Sequence, residues 1–237
     1  MAVEVEKLQT ALYFLGLSIE ELEQIKKYIT EKMAGKGEIF LLEGEWSDYL
    51  YFLISGLVKV YKTSPEGQEQ ILHFARPGES LNDVSTFDGG PTAASMLAIT
   101  PVTLYMIRKS DFHSIVLRDH PKVSFNVIKA LAHRVRRDST LVVELSFHRV
   151  IGRLAKMLLR YAGGETGEEL HLTQQDMAAA VGTTREVVNR SLRVLEDKGV
   201  IRLGRHRIEI LDKEALKDLA KETPDTTVKH LEGDYQE

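Results

Sequence analysis

Residues 172–201 read LTQQDMAAAVGTTREVVNRSLRVLEDKGVI, and this stretch decides the architecture. Thr173 is a helix N-cap with Asp176 three residues on, Met177 and Val181 give an apolar face, and Gly182 ends the helix in a left-handed cap. A second helix starts at once, capped by Thr183 or Thr184. Val187, Val188, Leu192 and Leu195 bury one side of it, and Arg185, Glu186, Asn189, Arg190 and Arg193 lie on the other. Two short helices joined by a glycine turn form a helix-turn-helix, whose second helix enters the major groove of DNA. Residues 200–211 follow Gly199 as a β-hairpin with its turn at Gly204-Arg205, the wing of a winged helix.

The residue types on the open face suit base reading. Arg185 and Arg190 can each donate two bonds to guanine O6 and N7, and Glu186 can accept from cytosine N4; a good pair is worth about 1–3 kcal/mol of discrimination. Thr173, Gln174, Thr183 and Thr184 sit where helix N-termini meet phosphate, so they position rather than specify. Glu186 could instead complete a capping box with Thr183, and Arg190 could pair with Glu186 four residues earlier.

Upstream, Val150, Leu154, Met157, Leu158 and Tyr161 mark a helix ending at Gly163-Gly164, and residues 163–169 read as an acidic surface loop. Before it, after a break at His120-Pro121, a long helix runs to about Phe147. Ile128, Leu131, Val135, Val142 and Leu145 form its apolar seam, interrupted at Asp138-Ser139 and flanked by Arg134, Arg136 and Arg137. Such a seam predicts pairing with a second copy of the same helix.

Residues 38–107 change pattern. Short β-rich runs at 39–42, 49–54, 57–61, 70–74 and 103–107 alternate with turns, and Gly56, Gly67, Gly78 and Gly89 lie eleven apart, the spacing of an antiparallel barrel or jelly roll. Residues 5–30 read as two helices, the second opened by a Ser18/Glu21 capping box. The expected class is therefore α+β. Its parts are a sensor β-barrel or jelly roll with N-terminal helices (1–120), a long dimerisation helix (121–147), a winged helix-turn-helix (148–220) and a disordered polar tail (221–237).

Composition limits the chemistry. The 237 residues are 43% hydrophobic and 28% charged with no Cys, which excludes disulfides, cysteine-ligated iron–sulfur clusters, thiolate zinc and cysteine nucleophiles. No apolar run approaches a membrane span and the first ten residues are too charged for a signal peptide, so a cytoplasmic location is expected, with no membrane partner. The net charge of −4 is uneven: −6 over residues 1–120, +3 over 121–147, +2 over 148–212 and −3 over 213–237. The basic stretch is the part expected to meet phosphate.

At the helix-turn-helix the chain resembles the Crp/Fnr family, and the resemblance runs in order through residues 10–215. TTREVVNRSLRVLEDKGVI looks like the family's recognition helix, with Arg185, Glu186 and Arg190 on its base-contacting positions. The resemblance implies a homodimer on a pseudo-palindromic duplex with a TGA-type core. Asn189 stands where relatives have Gly or Ser. RNA polymerase is a further partner such regulators imply, and the charged loops at 62–69 and 163–169 are too generic to assign to it.

The effector site departs from the family pattern. Where cyclic-AMP-binding members carry Gly-Glu and then Arg-Ser, this chain has Asn82-Asp83, followed by Val84, and then Ala93-Ala94, followed by Ser95; Asp138-Ser139 replaces the Thr-Ser pair that reads adenine. Without the arginine, Asp83 is expected to repel phosphate, and cyclic AMP is expected not to bind. Heme remains open through His73, His113, His120 or Met96, although a lone His in an apolar strand is more often a core residue. No zinc spacing is present. A barrel-based ligand-binding protein or enzyme tethered by a DNA-binding domain is the reading from another class. It has only Glu43 with Glu45, or Asp48 with Asp83, to offer as carboxylate pairs, and these read as solvated loop groups, so no enzymatic activity is expected. Control is expected through the packing of the long helices near Asp138-Ser139, passed on by a hinge at 147–149.

Overall fold

A computed structural model describes residues 3–161, 172–204 and 207–221. The loop expected at 163–169, the wing tip Arg205-His206 and the tail from 222 lie outside these residues. The chain divides into two compact units, residues 1–140 and 141–237.

The first unit begins with α1 (Val5–Leu8), a 3-10 turn (Leu12–Phe14) and α2 (Ile19–Lys26). The Ser18/Glu21 capping box is formed in both directions. The helical reading to residue 30 is corrected: β1 (Ile29–Ala34) starts there, because Ile29 pairs with Ile107 on an interior strand and is buried against it. Local spacing of Leu22, Ile25 and Ile29 mimicked a helix that ends at Lys26.

Seven further strands follow: β2 (Ile39–Leu41), β3 (Tyr49–Ser55), β4 (Val58–Thr63), β5 (Glu69–Ala75), β6 (Ser80–Leu81), β7 (Ser95–Ala98) and β8 (Val102–Arg108). They form two four-stranded antiparallel sheets, β1-β8-β3-β6 and β2-β7-β4-β5. The sheets do not close into a barrel; the domain is a jelly-roll-like sandwich. Ala34, Tyr51, Leu53, Val58, Val60, Met96 and Leu104 fill its interior. A second cluster, built on Tyr13, Phe14, Phe52, Tyr105 and Phe112, seats the N-terminal segment and the start of the long helix on the β3/β8 face. The four evenly spaced glycines all have positive φ. At Gly56 no other residue fits: φ is +86° and an added Cβ would lie 2.4 Å from the Pro101 carbonyl oxygen.

Between β6 and β7 lies α3 (Asp83–Asp88). Its N-cap Asn82 has φ of 68°, the only non-glycine residue at positive φ among the described residues. Asparagine tolerates this region better than other non-glycine residues, because its short polar side chain can hydrogen-bond locally. After β8, α4 (Lys109–Asp111) passes into a π-helical segment (Phe112–Leu117) and then α5 (Pro121–Phe147). Val123 and Val127 are the buried face of α5. Phe125, Ile128, Val135, Val142 and Phe147 are each 59–68% exposed, and Ile128, Val135 and Val142 recur every seven residues.

The second unit holds the end of α5, α6 (Val150–Tyr161), α7 (Gln174–Val181), α8 (Arg185–Asp197), the hairpin β9 (Ile201–Gly204) with β10 (Arg207–Ile210), and α9 (Lys213–Lys221). Leu154, Leu158, Met177, Val181, Val188, Leu192, Leu195 and Ile201 form its core, with Leu216 and Ala220 of α9 completing it. The 4-residue apolar step Leu216/Ala220 is the signal that could have announced α9, together with Asp212, which accepts from the Ala215 amide.

Candidate nucleic-acid interface and sensor-domain site

The helix-turn-helix is built from its caps. The Thr173 hydroxyl accepts from the Asp176 amide (3.1 Å) and donates to the Asp176 carboxylate (2.7 Å), and Gly182 takes the left-handed cap at φ 66°. Thr184 is the N-cap of α8, with no side-chain cap bond, so the Thr183/Glu186 capping box is not formed. The Glu186 carboxyl is instead held below its usual range by its own backbone N–H, the Thr184 hydroxyl and the Arg185 charge. Val188, Leu192 and Leu195 are buried, while Arg185, Glu186, Arg190 and Arg193 are exposed on the opposite face and Asn189 is half-buried. Among the described residues, Arg185, Arg190 and Arg193 make no ion pair, and the Glu186–Arg190 pairing is absent. The wing is tied by an Arg202–Glu209 ion pair of 3.2 Å. This leaves guanidinium groups on one helix face with their donors free, next to two exposed helix N-termini, the arrangement that phosphate and guanine edges require.

The residues singled out in the sensor domain divide. Asp83 is fully buried and forms an ion pair with Arg134 of α5 at 2.5 Å, and its other oxygen accepts from the Tyr13 hydroxyl. Arg134 also donates to the Ser80 carbonyl at 3.1 Å. Asp83 is therefore not a free negative charge, and the repulsion expected from it is corrected: an arginine distant in sequence neutralises it. Burial first, then the Asp83 charge and hydrogen bond, push the Tyr13 phenol well above its ordinary range. Asn82 donates to the Tyr49 carbonyl (2.9 Å), with its Oδ1 buried and without a partner among the described residues.

Val84 points outward, 45% exposed, whereas Ala94 and Ser95 are buried at the start of β7; Ser95 accepts from the Glu43 amide. Ala93 is half-buried. Asp138 is exposed and paired with Arg137 (3.2 Å), and Ser139 donates to its own helix at the Val135 carbonyl. Of the carboxylates weighed as acid–base pairs, Glu43 pairs with Lys62, and the reading of Asp83 as a solvated loop group is corrected, since it is buried against Arg134.

A cluster missed by sequence reading adjoins Asp83. His73 of β5 lies in register with Val60 and Met96 on the inner face, and both its ring nitrogens are buried without a hydrogen-bond partner among the described residues. Its Nε2 stands 3.5 Å from a Glu79 oxygen that also meets Arg137 at 3.7 Å. Burial lowers the imidazole pKa, against the pull of Glu79. Burial opposes ionisation of Glu79 too, but His73, the Arg76 amide and Arg137 outweigh it and lower its pKa. His113 meets the Thr86 carbonyl (2.7 Å) and His120 lies 3.6 Å from Glu21, so these histidines serve separate places. No group of three or more metal-ligating side chains occurs among the described residues, and none of their helices is long and apolar enough to cross a membrane.

Comparison with known proteins matches both units. The cyclic nucleotide-binding domain family matches residues 31–119 and the Crp-like helix-turn-helix domain family matches 152–219. The CRP-like cAMP-activated global transcriptional regulator of Mycobacterium tuberculosis is 34% identical over 218 residues, covering 89% of this chain and 97% of that protein. The cyclic AMP receptor protein of Thermus thermophilus is 30% identical over 207 residues, covering 87% and 95%. Among solved structures, a CRP/FNR-family transcriptional regulator, also from Thermus thermophilus, superposes with a TM-score of 0.70 at 27% identity, covering 81% of this chain and 99% of that one. The sandwich, the capped helix pair and the wing agree with these likenesses: the chain belongs to the Crp/Fnr family of transcription regulators, and its C-terminal unit carries the family's DNA-binding helix-turn-helix.

Proposed function

We propose that the chain regulates transcription as a homodimer bound to a pseudo-palindromic duplex with a TGA-type core, under the control of an effector other than cyclic AMP. The observation that carries the DNA reading is the exposed face of α8, where Arg185, Glu186 and Arg190 stand free of mutual pairing above a buried face. Arg185 and Arg190 read guanine edges, Glu186 reads cytosine, and Thr173, Gln174, Thr183 and Thr184 orient the domain on phosphates. Dimerisation rests on the exposed Ile128, Val135 and Val142 seam of α5, an apolar stripe that a lone helix would leave in water.

The two sequence relatives named above, from Mycobacterium tuberculosis and Thermus thermophilus, are described by cyclic AMP. Here the stretch Gly89 to Ile99 contains no arginine or lysine, and Arg134, the cation beside Asp83, is already committed to that carboxylate and to Ser80. A cyclic phosphate would have to displace an internal ion pair, which costs more than it returns unless another cation is supplied. Selection of duplexes from random DNA, followed by titration with the Arg185→Ala/Arg190→Ala chain, tests the DNA reading, and unchanged affinity defeats it. Calorimetry with cyclic AMP tests the effector reading, and micromolar binding defeats it. A Soret band in freshly purified protein would make heme the effector group.

A further inference from the structure

We infer that the self-association surface does not end at α5: Leu12, Leu15 and Ile19 of the N-terminal segment extend its apolar seam, and the surface they form with Phe125 receives the α5 of a second copy of this chain. The inference rests on the homodimer reading above and widens it.

The N-terminal segment is fastened along α5 through its own backbone. Asn126 Nδ2 donates to the Tyr13 and Leu15 carbonyls, each at 3.0 Å, and Lys122 Nζ donates to the Gly16 carbonyl. These bonds set residues 13–16 beside the first two turns of α5. Tyr13, Phe14 and Leu17 turn inward and are buried, but Leu12, Leu15 and Ile19 stay 42%, 46% and 64% exposed. A segment that gives its other apolar side chains to the core thus leaves these three in water next to Phe125, the most exposed large apolar side chain of α5. Along α5 itself the exposed positions follow a 3,4 spacing through Phe125, Ile128, Ala132, Val135 and Ser139, whereas Leu131 packs inward on the aromatic cluster.

Charge and extent name a second copy as the occupant. Lys129 and Arg136 are exposed on one flank of the seam, with no ion pair among the described residues, and Asp138 lies on the other flank. Parallel pairing of two such helices sets each basic flank beside the acidic flank of the other, a match that self-association supplies. One face of a single helix is also narrow, since a stable interface takes roughly 20–30 residues a side. The N-terminal surface continues the seam and makes up the difference. Two-fold symmetry about parallel helices repeats the contact, so that each N-terminal segment lies beside the other copy's α5.

The absence of Cys makes a site-specific test available. Leu15→Cys, Ile19→Cys and, as a control on β1, Met33→Cys are introduced singly into the full-length chain and into the Val135→Asp chain, with sedimentation reporting the dimer in each. Labelling by a soluble maleimide should be slower by about tenfold or more at positions 15 and 19 in the dimer than in the Val135→Asp monomer, with Met33→Cys reacting equally in both. A dimer whose two N-terminal cysteines react within about twofold of the monomer rate overturns the inference and leaves the α5 pairing standing. A parent chain that sediments as a monomer throughout overturns the homodimer reading and this inference with it, as does a Val135→Asp chain that stays dimeric for the seam. If Leu15→Cys does not fold, Leu12→Cys takes its place.

A second readout is the dimer equilibrium. Ile19→Asp puts a charge on the proposed surface at the first position of α2, where an acidic side chain favours the helix, so the fold is kept. Its dimer dissociation constant should rise by about tenfold or more with the far-ultraviolet spectrum unaltered. An unchanged constant overturns the inference.

Discussion

Removing one member of the Asp83–Arg134 pair tests how the long helix is held on the sandwich. Asp83 is 0% exposed, Arg134 is 22% exposed, and the oxygen and nitrogen are 2.5 Å apart. Breaking a buried pair by deleting one partner typically costs about 3–5 kcal/mol, because the remaining charge stays desolvated without its counter-ion. In Asp83→Asn the side-chain volume and the acceptor for Tyr13 survive, and Arg134 keeps the Ser80 carbonyl and some water, so the lower end applies, about 3 kcal/mol. Arg134→Met strands a carboxylate with only Tyr13 to bind it, and about 4 kcal/mol is expected. The double variant contains neither charge. Its cost should be about 2 kcal/mol, a coupling of roughly 5 kcal/mol against additivity. For a unit of this size, a loss of about 3 kcal/mol lowers Tm by about 6–12 °C. The assay is urea unfolding followed by near-ultraviolet circular dichroism, since the buried rings of Tyr13, Tyr51, Tyr61 and Tyr105 all lie in the first unit. Single losses below about 1 kcal/mol, or additive costs in the double variant, would refute the reasoning.

Three further outcomes are expected. Val135→Asp, placing a charge in the exposed seam, should convert a dimer into monomer by sedimentation at micromolar concentration without altering the far-ultraviolet spectrum; an unchanged dimer removes α5 as the interface. The folded-state pKa of His73 is lowered from 6.5, so its contribution to stability is complete above that value and is lost as pH falls below it; His73→Gln should flatten this slope in unfolding measured from pH 7 to pH 5, and an unchanged slope would contradict the burial of the imidazole. Gly56→Ala should destabilise the sandwich by about 2–3 kcal/mol, combining strained backbone with collision at Pro101, and a neutral result in thermal unfolding would contradict that geometry.

The helix-turn-helix was legible because its determinants are local: caps at Thr173 and Gly182 and an apolar face at Val188, Leu192 and Leu195 all fall within a few turns. The jelly roll was legible in outline through its glycine spacing. Its strands β1, β6 and β7 were not, since Ile29–Ala34 owes its conformation to pairing with β8, and β6 has only two residues. In the sensor domain the residues in question were found but their partners were not. Asp83 looked unpaired because its counter-charge is contributed by α5 and its hydroxyl donor lies 70 residues away. Likewise no pattern in sequence tells that the Arg153 guanidinium joins the carbonyls of His148 and Val181, which needs three segments already folded.

The internal pairing at Asp83 also sets a rule for what can approach it. A neutralised carboxylate attracts neither cation nor anion at long range, so a charged molecule arriving there gains little and still loses its hydration. An uncharged molecule forfeits much less. In a compound screen, hits near this part of the sensor should therefore be enriched in neutral, hydrogen-bonding structures, and salt concentration should hardly change their affinities.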